Sequence, residues 1–214
     1  DRLGAHPLTH QGVTGTALVV WAPNAEGVSV VGDFNRWDGR RHLMCSLGAS
    51  GLWEVFVPGV APGNRYKFEI SPRGGAPFLK ADPLAFRTEP PPLSASVVQK
   101  LEGYHWGDER WLRTREKLDA RRAPMSIYAV HLGSWVRVPE DGNRSLTYRE
   151  LAPKLAEHVS RLGFTHVEFL PVAEHPFGGS WGYQGSGYYA PSARFGTPDD
   201  FRFLVDTLHQ AGVG

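Results

Sequence analysis

Six consecutive residues, Gly179-Ser180-Trp181-Gly182-Tyr183-Gln184, have the make-up of a sugar-contacting loop. Flat Trp and Tyr rings cover the C–H faces of a pyranose, while a Tyr hydroxyl and a Gln amide reach its hydroxyls. The same rings would equally serve to anchor a long loop to a core, and composition alone leaves both readings open. The run follows an apolar segment, His166-Val167-Glu168-Phe169-Leu170-Pro171, and precedes a helix start. A long loop hinged by glycines between a strand and a helix is where an α/β barrel builds its substrate site.

Other chemistry-bearing residues carry blander readings. His131 sits in an apolar stretch without metal-ligand spacing and reads as a hydrogen-bonded core histidine. Adjacency does not place Glu174 and His175 on one substrate, so the pair reads as loop scaffolding. Trp37, in Gly32-Asp33-Phe34-Asn35-Arg36-Trp37, reads as a packed aromatic rather than a ligand platform. The single cysteine, Cys45, excludes an internal disulfide framework, fits a reducing compartment and reads as a small buried apolar residue. No Gly-rich phosphate cradle and no Cys/His metal set is visible, so neither metal nor organic cofactor is expected.

The elements that must position the aromatic loop alternate between strand and helix. Ile127–Leu132 reads as a buried strand, and a helix follows with Leu151, Leu155, Val159 and Leu162 on one face, ended by Gly163. Thr147-Tyr148-Arg149-Glu150 has the pattern of a capping box, yet Pro153 falls in the second turn. Either that helix kinks or it begins later than the box suggests. Val167–Leu170 reads as the second strand. Thr197-Pro198-Asp199-Asp200 then opens a helix that repeats Phe201, Leu204, Val205 and Leu208 and closes at Gly212. Such an order predicts parallel strands with right-handed crossovers. Two strands cannot close a barrel, so the chain is expected to be truncated at Gly214.

The first hundred residues have a different texture. Leu18–Trp21, Val28–Val31, Trp53–Val57 and Tyr66–Ile70 are short, alternating runs bounded by turn residues, the pattern of an antiparallel β-sandwich. A Pro-rich stretch from Glu89 and a charged, helical connector around Trp111–Arg122 separate the halves. Of 214 residues, 41% are hydrophobic and 21% charged, with a formal net charge of +1. Scattered basic residues argue against nucleic-acid or membrane-surface partners. With no signal peptide and no membrane-length apolar run, the cytoplasm is the expected location.

Several segments together resemble the glycogen (1,4-α-glucan) branching enzymes of the α-amylase superfamily. Val20–Ala25 and Val31–Gly39 resemble that family's N-terminal carbohydrate-binding sandwich. Ser126–Trp135 and Phe164–Phe177 resemble its first two barrel strands, and Gly179–Thr197 resembles the loop that follows. The resemblance implies a multidomain chain. An immunoglobulin-like sandwich would occupy residues 1–105, a connector 106–124, and the first two units of a (β/α)8 TIM barrel 125–214. Ala129 departs from the Glu usual in the first strand.

The resemblance also implies a role. Tyr183 matches the tyrosine that stacks on the sugar beside the scissile bond, and Gln184 stands where many amylase relatives carry Asp. Trp181 would serve either as loop anchor or as sugar platform. The nucleophilic Asp, the general-acid Glu and the stabilising Asp belong to later strands, so no catalytic residue is carried over to this segment. The implied partner is an α-1,4-glucan such as glycogen, and two carboxylates suffice without a cofactor. The rival readings are a glucan hydrolase of the same superfamily (debranching enzyme or trehalohydrolase) and a non-catalytic glucan-binding segment. Gln184 and the run Leu132–Trp135 favour the branching enzyme. Oligomeric state stays open.

Overall fold

In the computed structural model, which describes residues 3–119 and 121–214, the chain divides into two units. Residues 1–101 with 186–193 make the first; residues 102–185 with 194–214 make the second.

The first unit is built from β1 (Gly4–His10), β2 (Val13–Trp21), β3 (Ala25–Gly32), β4 (Cys45–Ser46), β5 (Leu52–Pro58), β6 (Arg65–Pro72), β7 (Phe78–Lys80) and β8 (Ser96–Val97). One antiparallel sheet runs β1-β2-β5-β4; the other runs β3-β6-β7, with β8 also on β6. Period-two alternation turns Val28 and Val30, and Tyr66 and Phe68, to one side. They share a single buried cluster with Leu18 and Val57 of the other sheet. The four runs expected as strands are β2, β3, β5 and β6. Strand β1 escapes the sequence pattern because Pro7 interrupts it, which its edge position tolerates. Gln11 and Gly12, both at positive φ (48° and 81°), close its two-residue hairpin to β2.

Two expectations fail in this unit. Cys45 is exposed, because the two-residue strand β4 lies at a sheet edge. Trp37 is 38% exposed rather than packed; Arg36 and Trp37 follow a 3-10 turn with left-handed backbone (φ 58° and 61°). Asn35 braces that turn by accepting from the Gly32 amide (2.9 Å) and donating to the Val30 carbonyl (2.9 Å).

In the second unit, β9 (Ile127–Val130) and β12 (His166–Phe169) pair in parallel, from Ile127↔His166 to Val130↔Phe169. Tyr128, Val130, Val167 and Phe169 face a core filled by α3 (Tyr148–Leu162) and α4 (Pro198–Gln210), through Leu151, Leu155, Val159, Leu204 and Leu208. The opposite face is open. Ile127 is 49% exposed and Ala129 lies beside Glu168, both exposed, so the expected buried strand is covered on one side only. A helical turn, α2 (Leu132–Trp135), takes over where the strand was expected to continue to Leu132. The short strands β10 (Arg137–Val138) and β11 (Arg144–Ser145) form a hairpin after it. The remaining strands are β13 (Ala173–Glu174) and β14 (Gly187–Pro191), the latter grouped with the first unit.

Helix α1 (Glu109–Lys117) falls inside the expected connector; Ala120 lies outside the described residues. The segment is docked on α4. Trp111 stacks on His209 at 3.6 Å, His209 Nδ1 pairs with Asp108 (2.8 Å), and buried Asp206 accepts from the Gly107 amide (3.0 Å). Among the described residues no helix is long and apolar enough to cross a membrane.

Helix α3 starts where its capping box says, and Pro153 is accommodated within it. The Thr147 hydroxyl accepts from the Glu150 amide (3.2 Å) and Glu150 accepts from the Thr147 amide (2.8 Å). Thr197 and Asp200 repeat the device on α4, with Pro198 at its first position. The Arg144 guanidinium and then the Thr147 amide and hydroxyl hold Glu150 down to about 2 from its usual 4.5. Burial pushes Asp200 up, but Thr197 and Arg149 outweigh it and bring it below 3.8. Both folded values lie below the unfolded ones. Their stabilisation is therefore complete above pH 4.5 and is lost as pH falls toward 2. Thermal unfolding followed from about pH 7 to about pH 2.5 should show a falling Tm across that window. Glu150→Gln should lower the neutral-pH Tm and flatten the acid slope; an unchanged slope would contradict this account.

Candidate functional site

The parallel ladder brings the carboxyl ends of β9 and β12 together. The Leu170 amide donates to the Val130 carbonyl (2.9 Å), so both chains leave the sheet at one level. From β9 the chain turns at His131, whose carbonyl caps α2 by accepting from the amides of Ser134 (3.2 Å) and Trp135 (3.1 Å). From β12 it leaves through Leu170-Pro171 into the aromatic loop. Between them lies a cleft of about 380 Å³, with His131, Arg137, Arg144, Leu170, His175 and Arg194 in its wall.

Each guanidinium in that wall is held in place. Arg137 donates to the Gly133 (2.8 Å) and Asn143 (2.7 Å) carbonyls. Arg144 makes a two-pronged contact with Glu150 (2.8 Å for each prong). Arg194 donates to the buried carboxylate of Glu174 (2.7 Å), which also accepts from the His175 amide (2.9 Å). Glu174 and His175 thus act as loop scaffolding. The carboxylate of Glu174 is the buried member of the pair, while Arg194 is partly exposed. Among the described residues lining the cleft none is a carboxylate, and no group of three or more His, Cys, Asp or Glu able to hold a metal occurs. The cleft presents guanidinium donors and the imidazoles of His131 and His175.

His131 corrects the core-histidine expectation. It is half-buried in the cleft wall, with Nδ1 in hydrogen bond to the Ser134 hydroxyl (2.8 Å) and its ring stacked on Trp181 (centroids 4.8 Å, planes 11° apart). Burial and then neighbouring His175 hold its pKa below the usual value. No spacing in the sequence signals this role, because the contact joins residues fifty positions apart across a loop.

The expected site residues lie on the surface. Tyr183 is 71% exposed, Trp181 is 50% exposed, and Gln184 is exposed. The cleft wall reaches their loop at Gly178, and none of the three is part of that wall. A 3-10 turn at Gly178–Ser180 carries Trp181 into left-handed backbone (φ 53°), a conformation that costs a non-glycine residue about 1–3 kcal/mol. Gly182 follows at φ 90°, and a Cβ there would stand 2.1 Å from the Pro171 carbonyl oxygen. Only glycine lets the loop return this close to the end of β12. Gly182→Ala should therefore destabilise the protein by about 1–3 kcal/mol. Gly178→Ala, with nothing within 4 Å of the added carbon, should stay within about 0.5 kcal/mol. Paired thermal unfolding checks this, and equal shifts for the two variants would refute it.

Known proteins agree with the motif resemblance. Residues 2–85 match the family described as Carbohydrate-binding module 48 (Isoamylase N-terminal domain). The whole chain is 63% identical to 1,4-alpha-glucan branching enzyme GlgB of Myxococcus xanthus, covering 29% of that protein. Over 99% of its length it is 59% identical to branching enzyme GlgB 2 of Streptomyces coelicolor, covering 28% of it. The chain thus spans under a third of these curated relatives. Among solved structures, a candidate alpha amylase from Salmonella typhimurium superposes with a TM-score of 0.74 at 26% identity, over 99% of this chain and 32% of that one. Residues 2–85 thus resemble a carbohydrate-binding module 48, and the chain along its full length is similar to under a third of the 1,4-alpha-glucan branching enzymes that it matches.

Proposed function

We propose that this chain forms part of an enzyme that cleaves an α-1,4-glucan and transfers the released chain to a C6 hydroxyl, creating an α-1,6 branch. The 63% identity to the Myxococcus xanthus branching enzyme, sustained over the whole chain, carries this reading. The reaction is retaining: a carboxylate displaces the leaving glucan to give a glycosyl-enzyme, and a base-activated sugar hydroxyl then takes the place of water. In this reading both carboxylates come from later barrel strands, outside residues 1–214, as the family resemblance implies. No cofactor is required, and the cytoplasm is the compartment that fits a glucan-building enzyme with one unpaired cysteine.

In this reading the first unit is an immunoglobulin-like glucan-binding sandwich, and residues 106–124 connect it to the opening two units of a (β/α)8 barrel. Support comes from the parallel pairing of β9 with β12 and from Gly214. The Gly214 amide donates to Thr165 (3.0 Å) and its carbonyl accepts from Val167 (2.8 Å), as a next parallel strand would. Tyr183, Gln184 and Trp181 then lie where barrel enzymes bind substrate, at the carboxyl ends of the strands.

Two assays test the reading. On amylose, the intact enzyme should form new α-1,6 bonds at a constant number of reducing ends; a rise in reducing ends would mark a hydrolase instead. Tyr183→Ala should lower kcat by on the order of 10²-fold, the scale of losing a contact that positions the reacting sugar. Because the ring is largely exposed, its removal should move stability by less than about 0.5 kcal/mol. Tyr183→Phe keeps the stacking face and should retain much of the activity. Near-native turnover in Tyr183→Ala would exclude a stacking role.

A further inference from the structure

We propose that His131 is a positioning residue of the glucan site: its imidazole backs the Trp181 indole, leaving the opposite indole face as a fixed platform for a glucosyl unit. This rests on the glucan reading above and adds to it the means by which an exposed loop side chain is made ready for its ligand.

The imidazole is itself fixed from three directions. Its Nδ1 is hydrogen-bonded to the Ser134 hydroxyl at 2.8 Å. Its backbone carbonyl caps α2, tying the residue to the end of β9. Its ring lies over Gly133, where an added Cβ would stand 3.0 Å from Cε1, so the bare glycine supplies the room. Gly133 is in turn clamped, its carbonyl accepting from Arg137 (2.8 Å) and from the Ser145 hydroxyl (2.8 Å). The rigid core of the second unit thus reaches the loop through one flat ring.

On the loop side, the Trp181 amide donates to the Gly178 carbonyl (3.1 Å), and Gly182 packs against Pro171. One indole face meets the imidazole at 4.8 Å with the planes 11° apart, while half of the residue stays exposed. An unsupported indole would have to give up rotamer freedom when a sugar stacks on it; an indole already held flat gives up little. A pyranose C–H face is the ligand chemistry that such a flat, half-exposed ring suits. Burial and His175 favour the neutral imidazole, which stacks without a desolvated charge.

The test uses the intact enzyme and amylose. His131→Ala should raise KM for amylose by about 3- to 10-fold, the range for losing one stacked aromatic pair, and lower kcat by a smaller factor. The near-UV circular dichroism of the indoles should change with it. His131→Phe keeps a flat ring and should return KM to within about 2-fold of the parent. Gly133→Ala keeps the imidazole but puts a Cβ 3.0 Å from its Cε1, so the ring must shift by a few tenths of an ångström against the indole, and KM should rise by a smaller factor than in His131→Ala. If His131→Ala fails to fold, Gly133→Ala and His131→Phe decide, with the KM rise required in the first and absent in the second. The proposal is overturned if KM is unchanged in His131→Ala while Trp181→Ala raises it, because the platform then needs no backing. It is also overturned if His131→Phe is as impaired as His131→Ala, which would give the work to the hydrogen bond. Unchanged KM in both Trp181→Ala and Tyr183→Ala would instead sink the glucan site itself.

Discussion

The second unit depends on one constraint: two four-residue strands pair in parallel, so they must end at the same level and on the same side. A parallel ladder cannot be closed by a tight turn, and α3 is the connection that satisfies it. Its apolar face also fills the space beneath Tyr128, Val130, Val167 and Phe169. Once the ends coincide, everything that leaves them is brought together: the α2 turn from one strand, the aromatic loop from the other. The last ladder bond, from the Leu170 amide to the Val130 carbonyl, separates scaffold from site. Below it side chains pack into a core; above it backbone carbonyls are occupied by arginines and hydroxyls.

What the sequence disclosed follows from how locally each feature is determined. The capping box of α3 and the Thr-Pro start of α4 need only four consecutive residues each; both form, and α3 begins at its box despite Pro153. The strands β2, β3, β5 and β6 show because one face of each is buried against a shared core. By contrast β1 is specified by its partner β2 rather than by its own residues, and the Gln11-Gly12 turn lacks the Asn or Asp that usually marks such a hairpin. The open face of β9 was equally invisible, since Ile127 looks apolar whether or not anything covers it.

The site divides along the same line. Trp181, Tyr183 and Gln184 drew attention by residue type, within six positions, and all three lie on one exposed loop. His131, the ring behind Trp181, gave no signal because its partner is distant in sequence and its own neighbours are apolar. The three cleft arginines were dismissed as scattered charge. Each proves to be a fastening: Arg137 to the α2 carbonyl, Arg144 to the start of α3, Arg194 to the floor of the loop. Charge counted along a chain cannot reveal this, because the carbonyls and carboxylates that hold each guanidinium are brought to it by the fold.

A last consequence concerns how an exposed aromatic loop can hold its shape at all. Tyr183 buries little and Trp181 only about half of its surface, against His131, so burial in a core cannot by itself fix the loop. The backbone does so instead, through Gly182 against Pro171, the left-handed turn at Trp181 and the amide bonds to Gly178 and Ser180. A loop built this way leaves the Tyr183 ring largely in solvent and Trp181 about half exposed beside His131. Tyr183 is thus held by its backbone, whereas Trp181 is held by its backbone and by the His131 ring together.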